Sequence, residues 1–115
     1  MARYTSSYLV KLPLDQLHQV INKVLQSCGF ESVYNAMDYI MAQEIPGQVV
    51  FSKLVTVEIL IDSTKAKGNE IPITWVIKND ELPLQVTNHC QQRFEQIQEI
   101  ISQCQQWHLI ASAIN

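Results

Sequence analysis

Charge is scarce in this chain, and positive charge most of all. Charged residues make up 17% of the 115, only eight of them are Lys or Arg, and the formal net charge is −3. Nucleic-acid binding draws on a basic face that displaces counterions from phosphates. So few scattered cations build no such face, and a nucleic-acid partner is not expected. Long apolar runs are missing too: the stretch Leu54 to Ile61 is broken by Thr56 and Glu58. It is too short to span a bilayer as a helix, so no membrane partner is expected. Residues Met1 to Lys11 lack the charged start, apolar stretch and small-residue cleavage site of a secretory leader. The three cysteines, Cys28, Cys90 and Cys104, are an odd number without paired spacing. Reduced thiols and a cytoplasmic location are the expectation. No Gly-rich phosphate loop, nucleophile elbow or HExxH pattern occurs. The motifs therefore name no reaction, assign no catalytic residue and no bound metal, and imply no cofactor.

What is present is a hydrophobic fraction of 47%, enough to give one domain of this length a core without disulfide or metal support. Residues 4 to 12 alternate and are rich in Tyr and Val, which predicts a strand. Pro13 suits the first turn of a helix. Leu14, Leu17, Ile21, Val24, Leu25 and Cys28 then recur at spacings of three and four, and Gly29 can close the helix in a left-handed conformation. The first helix is placed at about 13 to 28.

Residues 31 to 45 read as a second strand and 49 to 62 as a third, separated by the turn Pro46-Gly47-Gln48. In the third strand Val55, Val57, Ile59 and Ile61 form one β-branched face, which is assigned to the core. A three-residue turn would pair Ile45 with Val49, Tyr39 with Val55 and Met37 with Val57. In that register Asp38 lies opposite Thr56 and Glu58 opposite Ala36, on the face away from the core. The polar stretch Asp62 to Glu70 reads as an exposed loop. A fourth strand follows with Ile71, Ile73, Trp75 and Ile77 on one face, and Pro72 places that end of it at an edge or leaves it unpaired. Asn79 to Gln85, with Pro83, links to the last helix. Asn88 is a candidate N-cap with Gln91 three residues on. Cys90, Phe94, Ile97, Ile101, Cys104 and His108 keep helical spacing, so the second helix is placed at about 88 to 107, with glutamines on its solvated side. The tail Leu109 to Asn115 either frays or docks.

The resulting expectation is a single α+β domain over residues 1–115, of βαβββα order. It has a mostly antiparallel four-stranded sheet with two helices packed on one face. At the level of topology this resembles the double-stranded-RNA-binding and helix-grip families, although the acidic charge and the missing Lys-rich loop depart from the RNA-binding pattern. Fold analogy of this kind carries little functional weight. The stretches Ala42-Gln43-Glu44-Ile45-Pro46-Gly47, Leu54-Val55-Thr56-Val57-Glu58, Lys78-Asn79-Asp80-Glu81-Leu82-Pro83-Leu84 and Asn88-His89-Cys90 resemble small uncharacterised proteins of cyanobacteria. That resemblance implies a bacterial cytosolic setting and no established activity.

Two sets of residues are candidates for function. His89, Cys90, Cys104 and His108 are the thiol and metal candidates, since Cys and His four apart on a helix form half of a zinc site. Cys90 and Cys104 would lie about 21 Å apart along one helix and could not share an ion within one chain. Packing of both on the buried stripe is the stronger expectation. Ile40, Leu54, Leu60 and Val76 would stand together on the outer face of the sheet, and a contiguous exposed apolar patch marks an interaction surface. The leading expectation is a non-enzymatic interaction module that self-associates, as a homodimer or larger homo-oligomer, or binds a protein partner. The second is a small apolar-ligand-binding domain with its ligand between the sheet and the last helix. The third is a thiol- or metal-dependent enzyme using His89 and Cys90.

Overall fold

The computed structural model describes residues 1–47, 49–82 and 88–114. Gln48 of the predicted turn, Pro83 of the predicted link and Asn115 lie outside the described residues. In chain order the elements are β1 (Ala2–Lys11), α1 (Leu14–Ser27), β2 (Phe30–Asn35), β3 (Tyr39–Glu44), β4 (Thr56–Ile61), β5 (Glu70–Asn79), α2 (His89–Gln103) and β6 (His108–Ile114), with short 3-10 turns at Phe51–Lys53 and Ser63–Lys65. The six strands form one sheet in the order β2-β3-β4-β5-β1-β6, and every pairing is antiparallel.

The α+β class and the two helices agree with expectation, and the sheet gains two strands. The stretch read as one strand from 31 to 45 is a hairpin turning at Ala36-Met37-Asp38. Ala36 N–H donates to Tyr39 O at 2.8 Å, and the His18 ring nitrogen Nε2 lies 2.8 Å from Ala36 O. No glycine or proline announces this turn, and it is held partly from α1, a contact that local turn chemistry does not contain. The tail docks as β6 along β1, from Lys11 opposite His108 to Ser6 opposite Ile114.

The register between β3 and β4 also differs from expectation. Tyr39 faces Leu60, Ile40 faces Ile59 and Ala42 faces Val57. The connection from Ile45 to Val55 is no tight hairpin but a longer loop containing a 3-10 turn. Asp38 and Glu58 are therefore no cross-strand neighbours: Met41 stands opposite Glu58, and Asp38 sits in the β2–β3 turn, its carbonyl accepting from Ile61 N–H at 2.9 Å.

Val55, Val57, Ile59 and Ile61 are buried as expected. They join the core face of β1 (Val10, Tyr8), of β3 (Ile40, Ala42) and of β5 (Ile71, Ile73, Trp75, Ile77) in a single cluster with residues of both helices. Both helices thus lie on one face of the sheet. Leu17, Val20, Ile21, Val24 and Leu25 of α1 are buried, as are Cys90, Phe94, Ile97 and Ile101 of α2. Burial of a large aliphatic or aromatic side chain contributes about 1.5–3 kcal/mol, so packing of this stripe adds to the good helix propensity of the glutamines in α2.

That helix is shorter than its periodicity suggests. It ends at Gln103, and Cys104 is already extended (φ −66°, ψ 123°). Trp107 is buried and its indole N–H donates to Ile101 O at 3.3 Å. The side chain thereby fills the core and satisfies a terminal helical carbonyl, while the next residues pair with β1. Edge pairing and Trp107 burial win over another turn of helix.

Of the two readings of Pro72, the edge does not hold, because β5 lies between β4 and β1. Its carbonyl accepts from Asp62 N–H at 3.0 Å, so the side to which its missing N–H would point lies just where β4 has ended. A proline is tolerated at such a place.

Pro13 precedes the first helical residue, and α1 closes at Cys28-Gly29, where Gly29 has φ +81°. A Cβ there would also lie 3.1 Å from an Arg93 guanidinium nitrogen. Gly29→Ala should lower stability by about 1–2 kcal/mol from backbone strain alone; urea denaturation of the two proteins measures it, and an unchanged midpoint would contradict the assignment.

Candidate functional site

Two regions hold the candidate residues. The first is a buried polar corner at the start of α2. Asn79 ends β5; its amide donates to Lys53 O at 3.0 Å and to Glu81 Oε1 at 2.6 Å, and its own Oδ1 accepts from Glu81 N–H at 3.0 Å. Glu81, so oriented, accepts the first helical N–H groups, from His89 at 3.1 Å and Cys90 at 2.8 Å. Asn88 caps Gln91 N–H at 2.9 Å, as its position predicts. The other half of a capping box is missing, since the Gln91 side chain turns to Glu95 at 3.5 Å. Glu81 satisfies the remaining donors and places a negative charge at the positive end of the helix. Burial opposes ionisation of Glu81, but the Asn79 amide and the N–H groups of Cys90 and His89 hold its carboxyl below the ordinary range.

Glu44 forms the other side of the corner. It ends β3 on the core face and is almost fully buried. Its carboxylate lies 2.8 and 2.9 Å from His89 Nε2, accepts Val55 N–H at 3.1 Å, and lies 3.6 Å from Arg93 Nε. Arg93 also donates to Cys28 O, so it reaches the end of α1, and its guanidinium lies 4.8 Å over the Phe30 ring.

The geometry separates the thiol and metal candidates. The imidazole of His89 faces Glu44, while the Cys90 thiol points at the carbonyls of Ile77, 3.6 Å away, and Ala2, 3.9 Å away. Burial, reinforced by the charges of Glu81 and Glu44, pushes the Cys90 thiol up to about 12. A nucleophilic cysteine needs the opposite environment. Cys104 is half-buried at the end of α2, and His108 is exposed in β6. The expected Cys104–His108 helical pair does not form, because the helix stops between them. Among the described residues no group of three or more His, Cys, Asp or Glu could hold a metal ion.

The second region is the outer face of the sheet. Of the four apolar residues assigned to it, Leu60 stands there exposed. Ile40 is on the opposite face, fully buried against Ile59, because the long β3–β4 connection shifts the register by an odd number of residues. Leu54 is half-buried in the loop before β4. Val76 lies outside the core cluster yet is only 5% exposed, flanked by Glu58 and Thr5. The expected four-residue patch is therefore not assembled.

Four cross-strand rows take its place. One joins Gln43, Thr56, Lys78 and Arg3, and the next joins Met41, Glu58, Val76 and Thr5. The third runs from Tyr39 through Leu60, Thr74 and Ser7 to Ala113, and the fourth has Pro72, Leu9 and Ala111 beside Asp62. Glu58 anchors the second row: Lys78 Nζ lies 2.5 Å from it and Tyr39 donates to it at 2.7 Å. Lys78 and Tyr39 lower the Glu58 pKa, while the hydrogen bond to Glu58 pushes the Tyr39 phenol up to about 12. In the third and fourth rows Ser7, Thr74, Ala111 and Ala113 are small, and the 3-10 turn Ser63–Lys65 lies beside them. The result is an open hollow of about 710 Å³, with Leu60, Leu9 and Pro72 in its lining and Asp38, Asp62 and Lys65 at its side.

Sequence reasoning missed Glu44, Asn79, Glu81 and Arg93. The one available signal was the polar run Asn79-Asp80-Glu81 ahead of an N-cap, since acidic groups favour helix starts. It also missed Ser7 and Leu9, which only the pairing of β1 with β5 brings close to Leu60. Compared with known proteins, the chain matches no family model and no curated sequence.

The thiols should differ in reactivity. With a disulfide reagent at neutral pH, Cys104 should react in the native protein, and Cys28 and Cys90 only on unfolding; fast native labelling of Cys90 would overturn its placement. Glu81→Ala should cost about 2 kcal/mol or more, by orphaning buried donors at the helix start. Because the Glu81 pKa is lowered on folding, its contribution is complete above the ordinary glutamate value and is lost as pH falls through the lower folded value. The wild type should thus lose stability more steeply than the variant in that acid window, measured by urea titration at a series of pH values.

Proposed function

We propose that the chain is a non-enzymatic protein-interaction module that self-associates through the outer face of its sheet. The observation that supports this reading is the exposed Leu60 beside a hollow with a floor of small residues, on a face that neither helix covers. A sheet face of this kind packs against a second sheet about 10 Å away. Small floor residues leave room for the side chains of a facing copy.

Charge favours a second copy as the occupant. The rows run from a cationic end, where Arg3 stands beside the Lys78–Glu58 pair, to an end carrying Asp38 and Asp62, where Lys65 Nζ lies 3.9 Å from Asp62. A two-fold axis between the sheets and perpendicular to the strands would set the cationic end of each copy over the anionic end of the other. The interface is then self-complementary, as two-fold symmetry requires.

The other two expectations find less support. The space between the sheet and α2 is filled by Trp75, Phe94, Ile97 and Ile101, all buried, where an apolar ligand was expected. The Cys90 thiol is buried and directed at backbone carbonyls, which does not favour thiol chemistry.

Sedimentation equilibrium tests the reading. Leu60→Asp should weaken the dimer at least tenfold, about 1.4 kcal/mol. Arg3→Asp and Asp62→Arg should each weaken it, and the double variant should recover most of the loss. A monomeric wild type, or a dimer indifferent to all of these changes, would overturn the proposal; circular dichroism checks that each variant is folded.

A further inference from the structure

The two edges of the sheet are built differently. At one edge, β2 carries the exposed Glu31 and is broken in its middle by a bulge at Val33. A charge and a bulge both keep an edge strand from pairing with another chain. At the other edge, β6 has no Asp, Glu, Lys, Arg or Pro from His108 to Ile114. Ile110, Ala111, Ser112 and Ala113 are all exposed. The bulge in this strand falls at Ile110 and leaves Ala111–Ile114 in unbroken register with Leu9–Ser6.

Residues of an antiparallel strand send their N–H and C=O groups alternately to either side. Among the described residues only β1 adjoins β6, so every second residue of β6 offers both groups to a further strand. The helices leave this edge open. α2 packs over β1 and β5, with Phe94 stacked on Tyr4 and the Cys90 thiol at Ile77 O, and β6 projects beyond it.

We propose that β6 pairs antiparallel with β6 of a second copy, joining two sheets edge to edge about a two-fold axis normal to the sheet. Charge selects this occupant, because two strands without an ionic group meet without repulsion, and the small side chains at 111–113 let the backbones approach. The pleat sets the register, since directly facing residues point to the same side of a sheet. Ala111 and Ala113 stand opposite Leu9 and Ser7 on the outer face, and Ser112 stands opposite Tyr8 on the helix-bearing face. The axis therefore passes through a residue. At Ser112 it brings most of the strand into pairing, whereas at Ala111 it would set the bulge against the regular half. Ser112 then meets Ser112 of the partner subunit, and Ala111 meets Ala113 of the partner subunit. With α2 over β1 and β5 in each copy, roughly four strand spacings, about 19 Å, separate the two α2 helices. That exceeds a helix diameter of about 10–12 Å, so the helices clear one another. Ala111 and Ala113 also line the outer hollow. The two hollows thus lie on one joined surface, and edge pairing does not compete with face-to-face association.

Sedimentation equilibrium separates the two interfaces. With rising concentration the wild type should exceed a dimer, Leu60→Asp should stop at the edge-paired dimer, and Ser112→Lys at the face-paired one. Adding Ser112→Lys to Leu60→Asp should weaken the remaining dimer at least tenfold, because like charges then meet at the axis; circular dichroism checks that each variant is folded. Cross-linking tests the register. In a Cys104→Ser background, Ser112→Cys should give a disulfide-linked dimer on mild oxidation, since facing residues have Cα atoms about 4.5–5.5 Å apart. Ala111→Cys should not, because its counterpart lies two residues off along the strand, beyond the roughly 7 Å that a disulfide spans. A monomeric Leu60→Asp protein, an edge dimer indifferent to Ser112→Lys, or equal cross-linking of the two cysteine variants would each overturn the inference. So would a β6 that pairs only with the strand of a different protein. A wild-type dimer lost in Ser112→Lys but unchanged in Leu60→Asp would overturn face-to-face association alone.

Discussion

The carboxylate of Glu44 is buried at the end of β3, where His89, Val55 N–H and Arg93 surround it. Through these partners it joins the start of α2 to the β3 end and to the entry of β4, while Arg93 carries the connection on to the last carbonyl of α1. A charge withdrawn from water costs several kcal/mol unless its hydrogen-bonding capacity is filled. The loop before β4, the first turn of α2 and the close of α1 must therefore be in place together. Glu81 acts in the same way one layer along, tying the end of β5 to the first N–H groups of α2. Both helices are oriented from this corner, and their apolar faces then cover one side of the sheet.

That one-sided cover governs what the rest of the molecule can do. The covered face is a continuous core, with Trp75 among its largest fully buried side chains. The uncovered face is ordered by cross-strand rows, with a Tyr39–Glu58–Lys78 set at one end and a floor of Ser, Thr and Ala at the other. A solvated sheet face usually carries larger polar side chains; small ones next to Leu60 leave a concavity. The candidate chemistry of His89 and Cys90 is absorbed into structure instead. Adjacent residues on a helix point about 100° apart, so one reaches Glu44 and the other enters the core.

Several of these features were legible in the residues. The β-branched face of Val55, Val57, Ile59 and Ile61, the apolar stripes of both helices, Gly29 as terminator and Asn88 as N-cap are all set by periodicity or by local backbone chemistry. The β2–β3 turn was not, because Ala36-Met37-Asp38 carries no turn residue of strong preference and is steadied by His18 from another element. Nor was the β3–β4 register, because Pro46-Gly47 suggests a tight turn where the connection from Ile45 to Val55 is a longer loop; that odd shift puts Ile40 on the core face and dissolves the expected apolar patch. The end of α2 was obscured for the opposite reason. Cys104 and His108 continue a helical spacing by coincidence, while the decisive contacts are made by Trp107 with the core and by residues 108–114 with β1.

By itself the sequence determined the α+β class, the two helices and the core face of β4, since each depends on residue type and spacing within one segment. The strand order, the β3–β4 register, the docking of β6 and the meeting of Glu44 with His89 and Arg93 were decided only in the tertiary structure. They depend on which segments lie side by side, and the side chains that settle it are far apart in sequence, 45 residues in the case of Glu44 and His89. A carboxylate that reads as solvated surface in its own strand becomes a buried anchor once another element brings its donors to it.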